Sequence, residues 1–450
     1  MRAPAFSRSA IVTCLVMAVM TALPGVLAAP ARAAVRGAGP RLAAMEQRAD
    51  IVINSDAEFT ADRGVRSGLG TQSDPYVISG WILPNLTIRN TSKWVTVRDN
   101  QVTGTMILDW IGDGVSVHHN QTSDLRVNQN TERTGDATSG TIFQNRFLRV
   151  GQLRHFDGVF TKNIVGDPDA MLKNLGALAM LVDGFNGGRI TSNEFYGYVD
   201  MKLHGHHHSS AFGGGSHDHA TAHDHSEPGH SEGMADHTRR YHEGWFAQNV
   251  VHSTFDYAFR YYDRNHTGDD RTAASETDKN LNCPHIHYTK IHVTDNRLVG
   301  AGVMVDVFNA VDDNHWTTSR GLIEIANNDI GLDRDASEII TGRPGILVQE
   351  ADDVNVRIVG NEIVGADSVG EEDSLRVEEL LLARASGIRL LNLDLGNVFV
   401  AGNSVYNRMY GVHASGMTST VRWVVQNLYT ENVSQDVYYD DTVANKPHRP

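Results

Sequence analysis

The chain has 450 residues, of which 40% are hydrophobic and 21% are charged, and its formal net charge is −15 at pH 7. Such an acidic surface repels nucleic acid and anionic lipid, so we expect neither as a partner. Only two cysteines occur, Cys14 and Cys283. This number excludes a disulfide scaffold and leaves the burial of apolar side chains as the source of stability.

Residues 1–33 have the composition of a secretory signal peptide. Arg2 and Arg8 precede an apolar run over residues 11–27, and the small residues Ala31 and Ala33 follow it. The run is interrupted and lacks a stop-transfer pattern, so we predict cleavage near Ala33 and a secreted or extracytoplasmic protein without a membrane span. Removal of three arginines leaves 36 basic and 54 acidic residues, a net charge of −18.

Asparagines recur in one local context along most of the chain. Three residues before each lies an apolar side chain, eleven times in eleven, where a 40% hydrophobic composition predicts between four and five. Two residues after each lies an apolar or aromatic side chain in every case but Thr122. The asparagines are Asn100, Asn120, Asn145, Asn163, Asn193, Asn249, Asn296, Asn328, Asn361, Asn403 and Asn427.

This repeat predicts a parallel β-solenoid. Period-two alternation, a sharp bend and a further inward apolar residue are what one coil requires. Asparagine tolerates the left-handed backbone conformation that such a bend demands. We place the solenoid at residues 51–435, with a linker at 34–50 and a tail at 436–450.

The opening segment carries a resemblance to known proteins. It contains Ser-Asp-Pro-Tyr-Val-Ile-Ser-Gly-Trp at residues 73–81, followed by Ile-Arg-Asn-Thr at 88–91 and Val-Arg-Asp-Asn at 97–100. These residues resemble the right-handed parallel β-helix proteins of the pectin-lyase-like superfamily. Within that superfamily they are most similar to the repeat proteins grouped with the periplasmic copper-associated maturation factor of nitrous oxide reductase. The resemblance implies an all-β fold, a right-handed parallel β-helix of about eleven or more coils, and leaves function open.

A histidine-rich insert interrupts the repeat at residues 204–242. It has eleven histidines in thirty-nine residues and almost no apolar side chains, so we expect a flexible loop without a core. Neutral imidazoles spaced as His-x-His suit zinc and copper. A solvated low-complexity linker without a metal-related role is the alternative. The predicted metal ligands of the insert are His204, His206, His208, His217, His219, His223 and His225.

Cys283, His285 and His287 form a second candidate metal group. Their i, i+2, i+4 spacing places all three on one face of an extended strand. A thiolate with two imidazoles is most of a tetrahedral zinc or copper site. If the strand continues unbroken to Val293, this face points into the core, whereas a turn near residues 289–290 frees it. Structural packing and a carbohydrate-facing position are the alternatives.

The resemblance also implies an enzymatic alternative. Lyases of this superfamily hold calcium with acidic residues and use an arginine or lysine as the base on an acidic polysaccharide. The residues of this chain that fit such roles are Arg260, Asp263, Asp312, Asp313, His315 and Arg320. The neighbouring Tyr257, Phe259 and Tyr261 also fit a stacked ladder inside the solenoid. No pattern matches the catalytic motif of a particular lyase, so the sequence leaves open whether the protein is an enzyme.

Residues 371–386 depart from the repeat in another way. A serine that can cap a helix precedes a run of strong helix formers over residues 375–385, which predicts a short helix outside the coil. From the whole sequence we predict a secreted β-helix that captures or buffers zinc or copper. A β-helix that binds or cleaves a polysaccharide is the alternative. The sequence does not define the partner protein or the oligomeric state.

Overall fold

The structure is a computed structural model. It describes residues 45–111, 114–128, 140–154, 156, 158–171, 177–183, 188–202, 240–253, 255, 257–265, 287–309, 321–332, 344–351, 354–365, 386–394 and 396–444. All of these lie in one compact unit, residues 42–450. The predicted signal peptide and the predicted helix at residues 375–385 lie outside the described residues.

The described residues form almost only β-strands. Two single-turn 3-10 helices, Asp56–Glu58 and Ala61–Arg63, and one helical turn, α1 (Pro168–Met171), are the exceptions. The strands, in chain order, are β1 (Glu46–Gln47), β2 (Ile51–Ile53), β3 (Tyr76–Ser79), β4 (Trp81–Leu83), β5 (Leu86–Thr91), β6 (Val95–Arg98), β7 (Gln101–Ile111), β8 (Val115–His118), β9 (Gln121–Asn128), β10 (Thr141–Phe143), β11 (Arg146–Phe147), β12 (Gly151–Arg154), β13 (Val159–Thr161), β14 (Ile164–Val165), β15 (Leu178–Asp183), β16 (Arg189–Thr191) and β17 (Glu194–Tyr196). They continue with β18 (Tyr198–Lys202), β19 (Arg240–Ala247), β20 (Val250–His252), β21 (Phe259–Asn265), β22 (His287–Thr294), β23 (Arg297–Gly300), β24 (Val303–Asn309), β25 (Gly321–Ala326), β26 (Asp329–Leu332), β27 (Ile346–Gln349), β28 (Val354–Val359), β29 (Glu362–Val364), β30 (Ser386–Leu391), β31 (Gly396–Ala401), β32 (Ser404–Ser415), β33 (Val421–Gln426) and β34 (Tyr429–Tyr439).

The strands pair in parallel in two long sheets. Sheet B consists of twelve strands, β3, β6, β8, β10, β13, β16, β19, β22, β25, β28, β31 and β33, and sheet A contains twenty-two. One coil runs through a sheet B strand, a two-residue bend, a first sheet A segment and a second sheet A segment before it returns to sheet B. The twelve sheet B strands of the described residues therefore mark twelve coils, which confirms the predicted right-handed parallel β-helix.

Inward-pointing side chains of successive coils form a continuous core. Along sheet B the register aligns Val97, Val117 and Ile142, and all three are buried. The middle coils use larger rings, since Phe246 stacks on Phe195 at 6.0 Å and on Phe259 at 4.3 Å between ring centroids. Apolar burial of this kind supplies the main favourable free energy of folding.

Ten of the eleven repeat asparagines form one buried ladder. In each step the side-chain Oδ1 of one asparagine accepts hydrogen bonds from the backbone N and the Nδ2 of the asparagine in the preceding coil, as Asn249 does for Asn193 at 3.0 Å each. The Nδ2 of Asn193 also donates to the carbonyl of Phe160 at 3.0 Å. Every polar atom of the buried amide therefore has a partner, which is the condition for burying it at low cost. The ladder runs without interruption from Asn100 to Asn403.

The left-handed residue of the bend is not the asparagine, contrary to the expectation from the sequence. It is the residue immediately before, as with His119 (φ 56°) before Asn120 and Gln248 (φ 59°) before Asn249. The same rule corrects the eleventh position. Asn427 itself has a φ of 51° and is exposed, so Leu428 occupies the ladder position in the last coil.

Several element ends differ from the predicted boundaries. β19 begins at Arg240, so the last three residues of the predicted histidine-rich insert belong to a strand. β34 ends at Tyr439, and the side chain of Val443 is also buried against the core. Within the described ranges, no helix has the length and apolar character needed to cross a bilayer.

Candidate functional site

Most of the residues predicted to form a site lie outside the described residues. Arg260 is fully described, whereas Asp263 and His287 are described in their backbone alone. Those outside are His204, His206, His208, His217, His219, His223, His225, Cys283, His285, Asp312, Asp313, His315 and Arg320. The candidate site is therefore located by the strands that flank these segments and by the described side chains on neighbouring strands.

The three segments that carry these residues leave the solenoid at the same position of three successive coils. Each joins the second sheet A strand of a coil to the next sheet B strand, and we call this position the insertion corner. Residues 203–239 follow β18, residues 266–286 follow β21, and residues 310–320 follow β24. The strands before them are neighbours in sheet A, and the strands after them, β19, β22 and β25, are neighbours in sheet B. Adjacent parallel strands lie about 4.8 Å apart, so the anchor points of the three segments form one compact row.

β22, the strand that follows the segment with Cys283 and His285, contains no turn near residues 289–290. β22 runs unbroken from His287 to Thr294 and includes residues 289–290. Ile291 and Val293 of this strand are buried. The structure therefore has a continuous strand from His287 to Val293 and not a turn near residues 289–290. Cys283 and His285 lie outside the described residues.

Arg260 lies on the outer face of sheet A. Tyr257, three positions earlier in the chain, has a buried ring. The Nη1 of Arg260 donates to the hydroxyl of Tyr257 at 3.0 Å, and its guanidinium lies over the ring of Tyr262 at 4.3 Å. Asp200, on the neighbouring strand in register with Arg260, has its Oδ1 3.8 Å from the Nε of Arg260. Both atoms are buried, and neither makes a hydrogen bond within the described residues. Each atom is therefore compensated by the opposite charge 3.8 Å away and by no hydrogen bond, which is uncommon for buried polar groups.

The charge state of this group is set chiefly by burial. Burial raises the pKa of the Asp200 carboxyl, and the nearby Arg260 opposes the shift without reversing it. Burial also raises the pKa of Tyr257, with the carboxylate of Asp200 adding to the effect, so its hydroxyl stays protonated. Burial strengthens the electrostatics of this surface relative to groups in bulk water.

The predicted core ladder of aromatic residues is divided between the core and the surface. Phe259 and Tyr261 are fully buried inside the solenoid, in agreement with the structural alternative. Tyr257 is also buried, yet it packs outside the core, edge-on to Tyr198 at 5.4 Å and to Phe255 at 5.2 Å. The sequence alternation could not show this because Tyr257 precedes the strand and belongs to a bend.

Two stacked aromatic pairs continue this surface along sheet A. Tyr198 stacks on Phe255 at 4.5 Å, and Tyr196 stacks on His252 at 4.9 Å with ring planes only 7° apart. We define the aromatic surface as Tyr196, Tyr198, His252, Phe255 and Tyr257. Sequence reasoning missed it because its two halves are separated by the histidine-rich insert and meet only through the register of β17 with β20.

A carboxylate lies at one end of the aromatic surface. The Tyr196 hydroxyl donates to Glu194 Oε1 at 2.6 Å, and His252 Nε2 lies 3.7 Å from the same oxygen. The interaction with His252 is the largest cause that lowers the pKa of Glu194, and it outweighs burial. Burial, followed by the hydrogen bond to Glu194, raises the pKa of Tyr196 to about 12. At neutral pH this end of the surface therefore presents a carboxylate and a protonated phenol.

Sheet B carries a separate row of outer side chains that sequence reasoning also missed. Trp245 stacks on His292 with ring centroids 5.2 Å apart, and the guanidinium of Arg189 lies 5.0 Å from the ring centroid of Trp245. His292 Nδ1 lies 2.8 Å from Glu324, which also pairs with Arg357 at 3.5 Å. The row joins side chains from five coils whose sequence separations follow no fixed interval. Its contacts are mutual, and we assign it a role in fixing the register of the coils.

The described side chains alone do not form a metal site with three or more ligands. Among them there is no group of three or more histidine, cysteine or carboxylate side chains in position to share an ion. The predicted zinc or copper ligands lie in the segments at the insertion corner, except His287, which begins β22. In comparisons with known proteins, no family, curated protein or solved structure gives a significant match to this chain.

Proposed function

We propose that this protein captures or buffers zinc or copper outside the cytoplasm through the histidine-rich segment at its insertion corner. The observation that carries the proposal is the placement of that segment. The histidine-rich residues 203–239 and the segment with Cys283 and His285 are anchored on adjacent strands of both sheets. The two segments therefore start from neighbouring strands, which supports a shared role in metal binding.

The chemistry of the segments supports transition metals over calcium or magnesium. Imidazole and thiolate are preferred by zinc and copper, whereas calcium and magnesium take oxygen ligands. A net charge of −15 raises the local concentration of cations around the protein. Protonation of the imidazoles near pH 6 would release the metal, because ligation requires the neutral ring.

The test is a metal titration of matched full-length chains. In the first variant the ten histidines from His204 to His237 become glutamine, which keeps length and polarity. In the second, Cys283, His285 and His287 become alanine. We expect several equivalents of Zn²⁺ or Cu²⁺ on the unmodified chain at pH 7.5, a loss of most of them in the first variant, and the loss of a single tighter equivalent in the second. Unchanged stoichiometry in the first variant would overturn the proposal.

A second candidate function is the binding or cleavage of an acidic polysaccharide along sheet A. The aromatic surface supports it, since stacked rings of this kind offer flat apolar faces to sugar rings. The guanidinium of Arg260, on the strand next to β18, would donate hydrogen bonds to a sugar carboxylate. A catalytic role of Arg260 or Arg320 as the base, with the acids Asp263, Asp312 and Asp313 as calcium ligands and His315 as a further candidate, belongs to this second function.

Calorimetry with polygalacturonate and alginate tests this candidate. Replacement of Tyr198 and Phe255 by alanine should weaken binding at least tenfold, and Arg260→Gln should abolish any cleavage while leaving metal stoichiometry intact. The matched control is Trp423→Phe, a ring substitution in the core of the last coil. Equal binding by all variants would remove the aromatic surface from consideration.

A further inference from the structure

Two adjacent histidines lie at the bend after β8, away from the insertion corner. His118 ends β8, and His119 is the left-handed residue before Asn120. In an extended strand neighbouring side chains point to opposite faces. The left-handed bend instead brings both rings to the outside, where their Nδ1 atoms share a hydrogen bond 2.8 Å long.

The neighbouring coil holds the pair in place. The ring of His118 stacks on Phe143 at 4.7 Å, and His119 meets the same ring edge-on at 6.3 Å. His119 is exposed and His118 is partly buried, so solvent reaches the pair. At the other described bends, the left-handed position before the ladder residue carries no histidine. The pair is thus a local feature of this coil and is not required by the repeat.

A metal ion held by both rings would displace the proton shared by the two nitrogens, and their 2.8 Å separation fits one coordination geometry. A metal–imidazole bond is about 2.0 Å long, so two neighbouring ligands of a square-planar ion are about 2.8 Å apart, whereas tetrahedral ligands are about 3.3 Å apart. Square-planar coordination by nitrogen is typical of Cu(II). We propose that His118 and His119 form a chelating site for one Cu(II) ion, independent of the metal binding proposed for the insertion corner.

The experiment uses a full-length chain with the insert and Cys283 ligands silenced. The ten histidines from His204 to His237 become glutamine, and Cys283, His285 and His287 become alanine. We expect this chain to bind one equivalent of Cu(II), added as CuCl₂ at pH 7.5, with an axial electron paramagnetic resonance spectrum split by two nitrogens. His118→Ala and His119→Ala in the same background should each weaken binding at least tenfold and remove the two-nitrogen splitting.

A matched control and a fold check keep the outcomes distinct. His292→Gln changes another histidine of sheet B, one whose Nδ1 lies 2.8 Å from Glu324, and should leave the copper spectrum unchanged. Circular dichroism should give the same folded β-sheet spectrum for the His119→Ala chain, because that side chain is exposed and lies outside the core. A two-nitrogen spectrum that survives both substitutions, or no copper bound by the silenced chain, would overturn this site. Neither result affects the zinc and copper titration that tests metal binding at the insertion corner.

Discussion

Two corners of the same solenoid follow opposite rules. At the ladder corner, where sheet B meets sheet A, one left-handed residue and one asparagine join the strands in ten coils. At the insertion corner the connection is residues 92–94 in one coil and residues 203–239 in another. The first corner is constant in length and its asparagine is buried, whereas the second varies widely in length.

The difference has a physical cause. A buried amide must find a partner for every polar atom, so one extra residue at the ladder corner would leave several donors and acceptors unpaired and shift the strand register. At the insertion corner the paired strands have already ended. Loop length there costs little, because closure entropy grows only slowly with the number of residues. New chemistry can therefore be added at the insertion corner without loss of the fold.

The largest expected effect is at the ladder. Asn193→Ala removes the acceptor of two hydrogen bonds from Asn163, at 2.9 and 3.1 Å, and a donor to the carbonyl of Phe160. Each buried group left unpaired costs about 1–3 kcal/mol, so we expect the free energy of unfolding to fall by about 4 kcal/mol. Urea denaturation followed by circular dichroism measures this change.

An exposed asparagine pair provides the control for that measurement. Asn397 Nδ2 donates to Asn355 Oδ1 at 2.9 Å across neighbouring sheet B strands in a solvent-exposed position. Asn397→Ala should cost less than about 0.5 kcal/mol, because water replaces the lost partner. Equal losses for the two variants would contradict the role assigned to burial at the ladder.

The second effect concerns a titrating side chain away from the ladder. His413 on β32 is 5% exposed, and its Nδ1 makes no hydrogen bond within the described residues. Burial, helped by the nearby Arg389, lowers the pKa of His413 to about 4. The unfolded chain takes up a proton at this position below pH 6.5 while the folded chain stays neutral. Stability should therefore fall by up to about 1.4 kcal/mol per pH unit between pH 6.5 and 4.

His413→Gln should flatten that slope, whatever it does to stability at pH 7.5. Urea unfolding at pH 7.5, 6, 5 and 4 gives the slope for both chains. A slope that is the same in both would show that the acid sensitivity arises at other groups.

A smaller effect is expected where the repeat substitutes a polar residue for an apolar one. Thr122 is fully buried, and its hydroxyl is 3.0 Å from the carbonyl of Gly104 and 3.1 Å from that of Asp124. Thr122→Val keeps the shape and removes the donor, so we expect a loss of about 1 kcal/mol by urea denaturation. Thr122→Ser, which keeps the hydroxyl, separates the hydrogen bond from the lost methyl group.

The smallest effect on stability should come from the largest deletion. Replacement of residues 203–239 by a Gly/Ser linker of about ten residues should change the free energy of unfolding by less than about 0.5 kcal/mol, because β18 and β19 keep their partners. The deletion stops at residue 239 because Arg240 begins β19. A large loss of stability would mean that the insert packs on the solenoid, and the insertion corner would no longer differ from the ladder corner.

The repeat positions were predictable in part. The apolar residue three positions before each asparagine is buried from Val97 to Val400, because a local pattern of period two is enough to define an inward face. The choice between Asn427 and Leu428 was not predictable, since both keep an apolar residue three positions before them. Only the stacking of β33 on β31 shows that Val425, and not Val424, points inward.

The candidate sites were less accessible to sequence reasoning. The aromatic surface, the sheet B row and the His118 and His119 pair each depend on contacts between coils or on one left-handed residue. Arg260 was identified, but its partner Asp200 lies sixty residues earlier, across the whole insert.

The sequence by itself determined that the chain is a parallel solenoid with a histidine-rich interruption, because alternation and composition are properties of neighbouring residues. The tertiary structure alone decided which amides form the ladder, which rings face outward, and that three separate segments leave from one corner. These depend on register between coils that are 18 to 56 residues apart. Such register is fixed by the packing of the core and the pairing of buried amides, and neither can be read from a single coil.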